Sequence, residues 1–223
     1  MKKKLGAVVL ITVIFLFGIF ILISKPSNSK DNSLQNIENK LEELEFFILV
    51  EGELKDESLR TFRENYKEYK SVFNYDRYDS ESILGSTELR AYGIDAENLA
   101  EGGLEKYLND MSKTFEALGI DMTSETNEFS TTNYIVTVND KEYIIFDSND
   151  MMNSNFWWIA SKQFIQILNE NLETNSKDER VFIVNAGNND QMLIFLTVDQ
   201  KEYLNQITDL NIKSLEEIES AVY

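Results

Sequence analysis

Residues 134–147, YIVTVNDKEYIIFD, contain two short apolar stretches on either side of Asn139 and Asp140. Both stretches, Tyr134 to Val138 and Glu142 to Asp147, are rich in β-branched and aromatic residues, which favours strands. Asn and Asp tolerate the positive φ angles of a tight turn, so residues 134–147 predict a β-hairpin. Hairpins build antiparallel sheets, whereas parallel strands need long crossover connections, so residues 134–147 indicate an antiparallel sheet.

The same alternation of helices and hairpins extends on both sides of this stretch. The pattern predicts helix, hairpin, helix, hairpin and helix at residues 104–118, 134–147, 156–172, 181–196 and 197–207. Gly119 is placed for a left-handed helix C-cap. We therefore expect an α+β domain over residues 74–223, with a small antiparallel sheet of about four or five strands and helices packed on one face.

Residues 34–73 precede this domain and predict a helical hairpin. Apolar residues recur at helical spacing from Leu34 to Leu44, and a second helix is expected from Asp56 to Phe73. The apolar run FFILV at 46–50 either extends the first helix or forms a buried strand. Periodicity alone does not separate these two interpretations.

The segment Leu5–Ser24 holds 20 residues without a charge, which is enough to cross a bilayer as a helix. Residues 1–4 carry three lysines and are expected to stay in the cytoplasm by the positive-inside rule. Residues 25–33 are a polar linker. We predict a single-pass anchor in the cell membrane, with the following domain outside the cytoplasm. The alternatives are a cleaved signal peptide, although signal cores are usually shorter, and an apolar core helix.

The distribution of charge also changes just after the predicted anchor. Residues after Lys30 hold 16 of the Lys and Arg residues and all 39 of the Asp and Glu residues, a net charge of −23. A nucleic-acid partner is excluded, because binding to phosphates needs Lys and Arg. A cationic protein is the expected partner, while the competing interpretation is that the charge only maintains solubility.

The chain has no histidine and no cysteine. His-based triads, Cys–His dyads, His-ligated zinc and disulfides are therefore excluded. No cofactor or metal is predicted. The catalytic alternative is chemistry based on Asp and Glu, with or without a metal ion.

Five residues are candidates for partner binding: Trp157, Trp158, Asp147, Asp150 and Asp190. Asp147 and Asp150 follow a predicted strand but lack the EF-hand pattern, so a polar loop before the next helix is the simpler interpretation. Trp157 and Trp158 point about 100° apart on a helix, which favours one in the core and one at its edge. Asp190 belongs to the turn of the second hairpin.

Two functions from different classes follow from these patterns. The first is an acidic binding domain outside the cytoplasm, for example an immunity or inhibitor protein against a secreted toxin. The second is a carboxylate-based or metal-dependent enzyme of the cell envelope. A structural subunit of a membrane complex is a third possibility, but the anchor lacks a G-x-x-x-G motif that would support it.

Overall fold

The structure is a computed structural model that describes residues 33–73, 78–79, 82–83, 87–150, 156–186 and 189–220. The predicted anchor at 5–24, the cytoplasmic tail at 1–4 and the linker up to residue 32 lie outside these ranges. Within them, no helix combines the length and the apolar character that a bilayer crossing requires.

The described helices and strands alternate along the chain much as the sequence predicts. The helices are α1 (Leu34–Glu43), α2 (Gly52–Tyr69), α3 (Ala96–Asn98), α4 (Leu104–Asp110), α5 (Ser112–Ala117), α6 (Phe156–Thr174), α7 (Val198–Ile207) and α8 (Leu215–Ser220). The strands are β1 (Tyr78–Asp79), β2 (Ser82–Ile83), β3 (Ala91–Asp95), β4 (Ser124–Phe129), β5 (Tyr134–Val138), β6 (Lys141–Phe146), β7 (Arg180–Val184) and β8 (Asp190–Leu196). A π-helical turn, Leu99–Gly103, joins α3 to α4.

The predicted α+β class with antiparallel strands is confirmed, but the strands do not form one sheet. The first sheet has the order β3-β8-β7 and the second has the order β4-β5-β6, while β1 and β2 form a separate short pair. All pairs are antiparallel. The hairpin at 134–147 is confirmed as β5 and β6, with positive φ angles at Asn139 and Asp140.

The sequence predicted helices on one face of a single sheet, and this prediction is wrong. Helices cover both faces of the first sheet. Along β8, Leu193 and Phe195 belong to one apolar cluster, whereas Met192, Ile194 and Leu196 belong to another. A strand that is apolar at every position needs cover on both sides. The helices α4, α5 and α6 contribute to the first cluster, and α1, α2 and α7 contribute to the second.

The second sheet is covered on one face. Tyr134, Val136 and Val138 of β5 are fully buried in the cluster that includes α4, α5 and α6. The alternate positions Ile135 and Thr137 are only half-buried. This alternation is the pattern expected for a sheet with one face toward solvent.

The helical hairpin at 34–73 is formed by α1 and α2, which pack against the first sheet. Ile37, Phe46 and Phe62 share a buried cluster with Phe182 and Ile194 of that sheet. The run at 46–50 is neither a helical extension nor a strand, because residues 44–49 form turns. Its aromatic residues nevertheless fill the core between the hairpin and the sheet.

The end of α5 shows the predicted glycine cap. Gly119 has a φ of +69°, and the Ile120 amide donates to the Phe115 carbonyl at 2.8 Å. We expect Gly119→Ala to lower the free energy of unfolding by about 1–2 kcal/mol, because an L-residue is strained in this conformation. Denaturant unfolding measures this loss. Gly119→Asn should cost less, and an equal loss for both variants would contradict the explanation.

An ion pair joins the two helices of the hairpin. The buried carboxylate of Glu38 accepts hydrogen bonds from Arg63 Nε at 2.8 Å and from Arg63 Nη2 at 2.5 Å. These bonds lower the pKa of Glu38, against the opposing effect of burial, and the Arg63 charge lowers it further.

This lowered pKa predicts a specific acid sensitivity. Glu38 contributes stability above the ordinary pKa of a glutamate, and that contribution is lost as the pH falls through the lower folded-state pKa. We expect Glu38→Gln to flatten the acid side of a plot of unfolding free energy against pH. Glu64→Gln, at an exposed position on α2, is the matched control. Equal acid dependence in wild type and Glu38→Gln would contradict this prediction.

Candidate functional site

The solvent-facing side of the second sheet is the most distinctive surface of the described structure. We call it the acidic face and define it by two cross-strand rows. The strand register places Glu125, Thr137 and Glu142 in one row across β4, β5 and β6. It places Glu128, Ile135 and Ile144 in the second row. The acidic face therefore consists of three carboxylates, one hydroxyl and two isoleucines, namely Glu125, Glu128, Glu142, Thr137, Ile135 and Ile144.

The apolar part of the acidic face is accessible to solvent. Ile144 has 57% of its surface accessible, although it lies in the middle of a strand. Ile135, its partner across the strands, is half-buried. Isolated surface isoleucines are common, but an apolar pair among carboxylates on an open sheet face gives a partner both apolar area and charge to contact.

Neutral side chains orient two of the three carboxylates. Asn127 Nδ2 donates to Glu142 Oε2 at 3.2 Å and to Thr137 Oγ1 at 2.9 Å. Asn133 Nδ2 donates to Glu128 Oε1 at 3.2 Å. Amide donors fix a carboxylate without cancelling its charge, so the negative charge of the face is retained.

The wider segment that builds the second sheet is also acidic. Residues 121–150 contain seven Asp and Glu residues and a single basic residue, Lys141. Lys141 is paired with Glu170 of α6. Among the ion pairs that the described residues form, none includes Glu125, Glu128 or Glu142.

Asp147 and Asp150 form a turn at the end of β6. Asp147 Oδ1 accepts from the amides of Asn149 at 2.7 Å and Asp150 at 3.2 Å, and Asp150 Oδ2 accepts from the Asp147 amide at 3.0 Å. The backbone bonds from Asn149 and Asp150 lower the pKa of Asp147. These oxygens are thus engaged in local hydrogen bonds, and the geometry fits a polar turn that ends the strand.

Trp157 and Trp158 lie in the first turn of α6. Trp157 is 41% exposed, whereas Trp158 is half-buried against the core. Their neighbour Phe156 begins a chain of edge-to-face aromatic contacts through Phe146 and Tyr134, which ends at Phe129, itself 51% exposed. Centroid distances along this chain are 5.2, 5.9 and 5.2 Å. The exposed aromatics Phe129, at one end of this chain, and Trp157, next to the other end, lie on the same sheet-and-helix unit as the acidic face.

Asp190 lies on the other sheet. It pairs with Asp95 in the register of β3 and β8, and it lines an open groove with Asp209 and Leu210. The structure therefore does not bring the five predicted residues into one site. Asp147, Asp150, Trp157 and Trp158 adjoin the second sheet, and Asp190 is at the end of the first.

A buried polar network occupies the junction between the hairpin and the first sheet. Arg90, with no accessible surface, donates to the carbonyl of Phe46 at 2.5 Å, of Phe195 at 2.9 Å and of Glu45 at 3.3 Å. Burial lowers its pKa to about 10, with the Glu179 and Glu88 charges opposing that shift. Arg90 therefore stays charged at neutral pH and ties three chain segments together.

Next to Arg90, a buried tyrosine forms a second polar chain. The Tyr92 hydroxyl lies 2.5 Å from Thr114 Oγ1, which donates to the Leu89 carbonyl at 2.6 Å. Burial raises the pKa of Tyr92 to about 12. The hydrogen bond to Thr114 opposes the rise, whereas the charges of Glu88 and Asp110 increase it. Two carboxylates thus act on one buried hydroxyl. Burial also raises the pKa of Asp110.

Sequence reasoning missed the carboxylates of the acidic face because they are distributed over residues 125–142. Strand alternation in β5 and β6 was a usable signal, since it places Ile135, Thr137, Glu142 and Ile144 on the same side. In contrast, β4 reads SETNEF and lacks the apolar alternation of a strand. Its two glutamates joined the site only through pairing with β5.

The described residues contain no group of three or more Asp and Glu side chains arranged to hold a metal ion. Comparisons of the chain with models of protein families, with curated proteins and with solved structures give no match.

Proposed function

We propose that the chain is a membrane-anchored, acidic binding protein whose domain engages a cationic protein outside the cytoplasm. The observation that carries the proposal is the acidic face, where three carboxylates that form no ion pair with any described residue lie beside exposed apolar surface. The charge of −23 after Lys30 extends the same preference over the whole domain. The apolar anchor sequence at 5–24 supports the location.

Electrostatic physics explains how such a domain would act. Complementary charge accelerates association and disfavours partners of the same sign. The apolar residues then supply contacts that charge alone does not provide. A tethered protein of this kind suits interception of a cationic protein near the membrane, as an immunity or inhibitor protein against a secreted toxin would require.

A capture experiment tests the proposal. The full chain, purified in detergent and immobilised, is incubated with secreted and cell-surface proteins of the source cells at low salt, where charge interactions reach about 30 Å. We expect a basic protein to be retained in a saturable manner and released at high salt. A matrix without the protein is the control. Retention of no basic protein at low salt would contradict the proposal.

The alternative function, a carboxylate-based enzyme of the cell envelope, has one observation in its favour. Besides burial, the charges of Glu88 and Asp110 raise the pKa of Tyr92, and burial raises the pKa of Asp110 itself; a perturbed carboxylate is typical of catalytic sites as well as of structural networks. Incubation of the full chain with isolated envelope material should then release products, and Asp110→Asn should abolish that release at unchanged stability. Product release that Asp110→Asn leaves unchanged would count against this function for the network.

A further inference from the structure

We infer that the acidic face binds a basic amphipathic helix of the partner protein, laid flat across β4, β5 and β6. The inference rests on the proposed function and adds the position of the contact and the shape of the partner segment. Its apolar side chains would pack on Ile135 and Ile144, and its Lys or Arg side chains would pair with Glu125, Glu128 and Glu142.

The exposed side chains of the acidic face determine where the contact is expected. Ile144 is 57% exposed and adjoins Ile135 across the strands, so a ligand gains apolar burial there. Glu142 precedes Ile144 by two residues on the same side of β6, about 6.7 Å away. A ligand that covers the isoleucines therefore brings its flanking charges within reach of a carboxylate.

A partner strand added at the β4 edge of the sheet is less compatible with the structure than a ligand on the open face. The sheet has two edge strands, β4 and β6, and on β4 the amide of Thr126 already donates to Glu105 Oε1 of α4 at 2.6 Å. An added strand would have to displace this bond to pair with β4. The open face needs no such displacement.

A helix matches the dimensions of the face. Glu125 and Glu142 lie two strands apart, about 10 Å, which is close to the rise between residues i and i+7 of a helix. One helix can therefore present two basic residues to these carboxylates, and its apolar residues on the side of the neighbouring row can contact Ile135 and Ile144. A second copy of this chain is disfavoured, because two faces carrying the same charge repel each other.

The probe for this inference is a synthetic amphipathic peptide of leucine and lysine, about 14 residues long, which makes about four helical turns. Binding to the full chain in detergent is measured by calorimetry at low salt. The face variant replaces Glu125, Glu128 and Glu142 with Gln. The control variant replaces Glu53, Glu64 and Glu68, which are exposed on α2, with Gln and so removes the same charge.

We expect the face variant to bind the peptide at least about tenfold more weakly than wild type and the control variant to stay within about twofold. Ile144→Ser should also weaken binding. Unfolding midpoints of all variants are compared with wild type, so that loss of structure is recognised. Equal losses for the face and control variants would overturn the inference, while the capture experiment would still decide the proposed function separately.

The helical shape has its own test. A second peptide with the same charges carries a central proline, which breaks a helix. We expect it to bind at least about tenfold more weakly than the first peptide. Equal binding of the two peptides, or no binding of the first peptide to wild type, would also overturn the inference.

Discussion

Replacing Arg90 with methionine is expected to lower the free energy of unfolding by about 3–5 kcal/mol, because it removes one partner of a buried charged network. The carbonyls of Glu45, Phe46 and Phe195 lose their donor, and Glu179 loses its buried cation at 3.9 Å. In the folded variant these carbonyls are buried without a donor, which costs free energy. In the unfolded chain water hydrates the same carbonyls, so only the folded state is destabilised.

Denaturant unfolding followed by the fluorescence of the two tryptophans measures this effect. Arg90→Lys keeps the charge but cannot reproduce the fork of three donors, so we expect it to be destabilised as well. Arg60→Met on α2 removes an exposed arginine and should change stability by less than about 0.5 kcal/mol. A loss below about 1 kcal/mol for Arg90→Met would contradict a structural role for this residue.

Phe46→Ala is the second substitution with a large expected effect, about 3–5 kcal/mol. Phe46 is fully buried, with its ring centroid 5.1 Å from that of Phe47 and 5.9 Å from that of Phe73. Arg90 lies over the same ring at 5.2 Å. Truncation therefore leaves a cavity between the helical hairpin and the first sheet, and it removes the surface on which Arg90 is packed.

Phe129→Ala is the matched control, since the Phe129 ring is 51% exposed. It should cost clearly less than Phe46→Ala in the same unfolding measurement. The double variant with Phe46→Ala and Arg90→Met should lose less unfolding free energy than the sum of the two single losses, because the side chains are in contact. Equal losses for Phe46→Ala and Phe129→Ala would show that the hairpin is not packed on the sheet as described.

Features that depend on neighbouring residues were predictable from the sequence. Asn139 and Asp140 fixed the turn of the second sheet, and Gly119 capped α5. In each case the hydrogen bonds and backbone angles involve residues only a few positions apart, so the local sequence determines them.

Features that depend on distant parts of the chain were not predictable. The division into two sheets follows from β3 pairing with β8, about which short-range patterns contain no information. Arg90 looks like an ordinary surface residue in the sequence, yet it binds carbonyls 44 and 105 residues away. The acidic face has the same origin, because Glu125 and Glu142 are aligned on opposite sides of Thr137 only through the register of β4 and β6 with β5.

Among the candidate residues, the tryptophans show how far such reasoning extends. Helix geometry predicts that Trp157 and Trp158 point in different directions, and the structure has one exposed and one packed against the core. The same reasoning did not separate Asp190 from Asp147 and Asp150, because their assignment to different sheets is a tertiary property. Their role in binding a partner stays a prediction.

The salt dependence of the association rate distinguishes binding at the acidic face from binding elsewhere on the domain. The association rate of the basic peptide with the full chain is measured from low to high ionic strength, for wild type and for the variant with Gln at positions 125, 128 and 142. We predict a steep fall for wild type and a clearly shallower one for the variant, because the face supplies the steering charge. Identical slopes for the two proteins would contradict the claim that cationic partners bind at the acidic face.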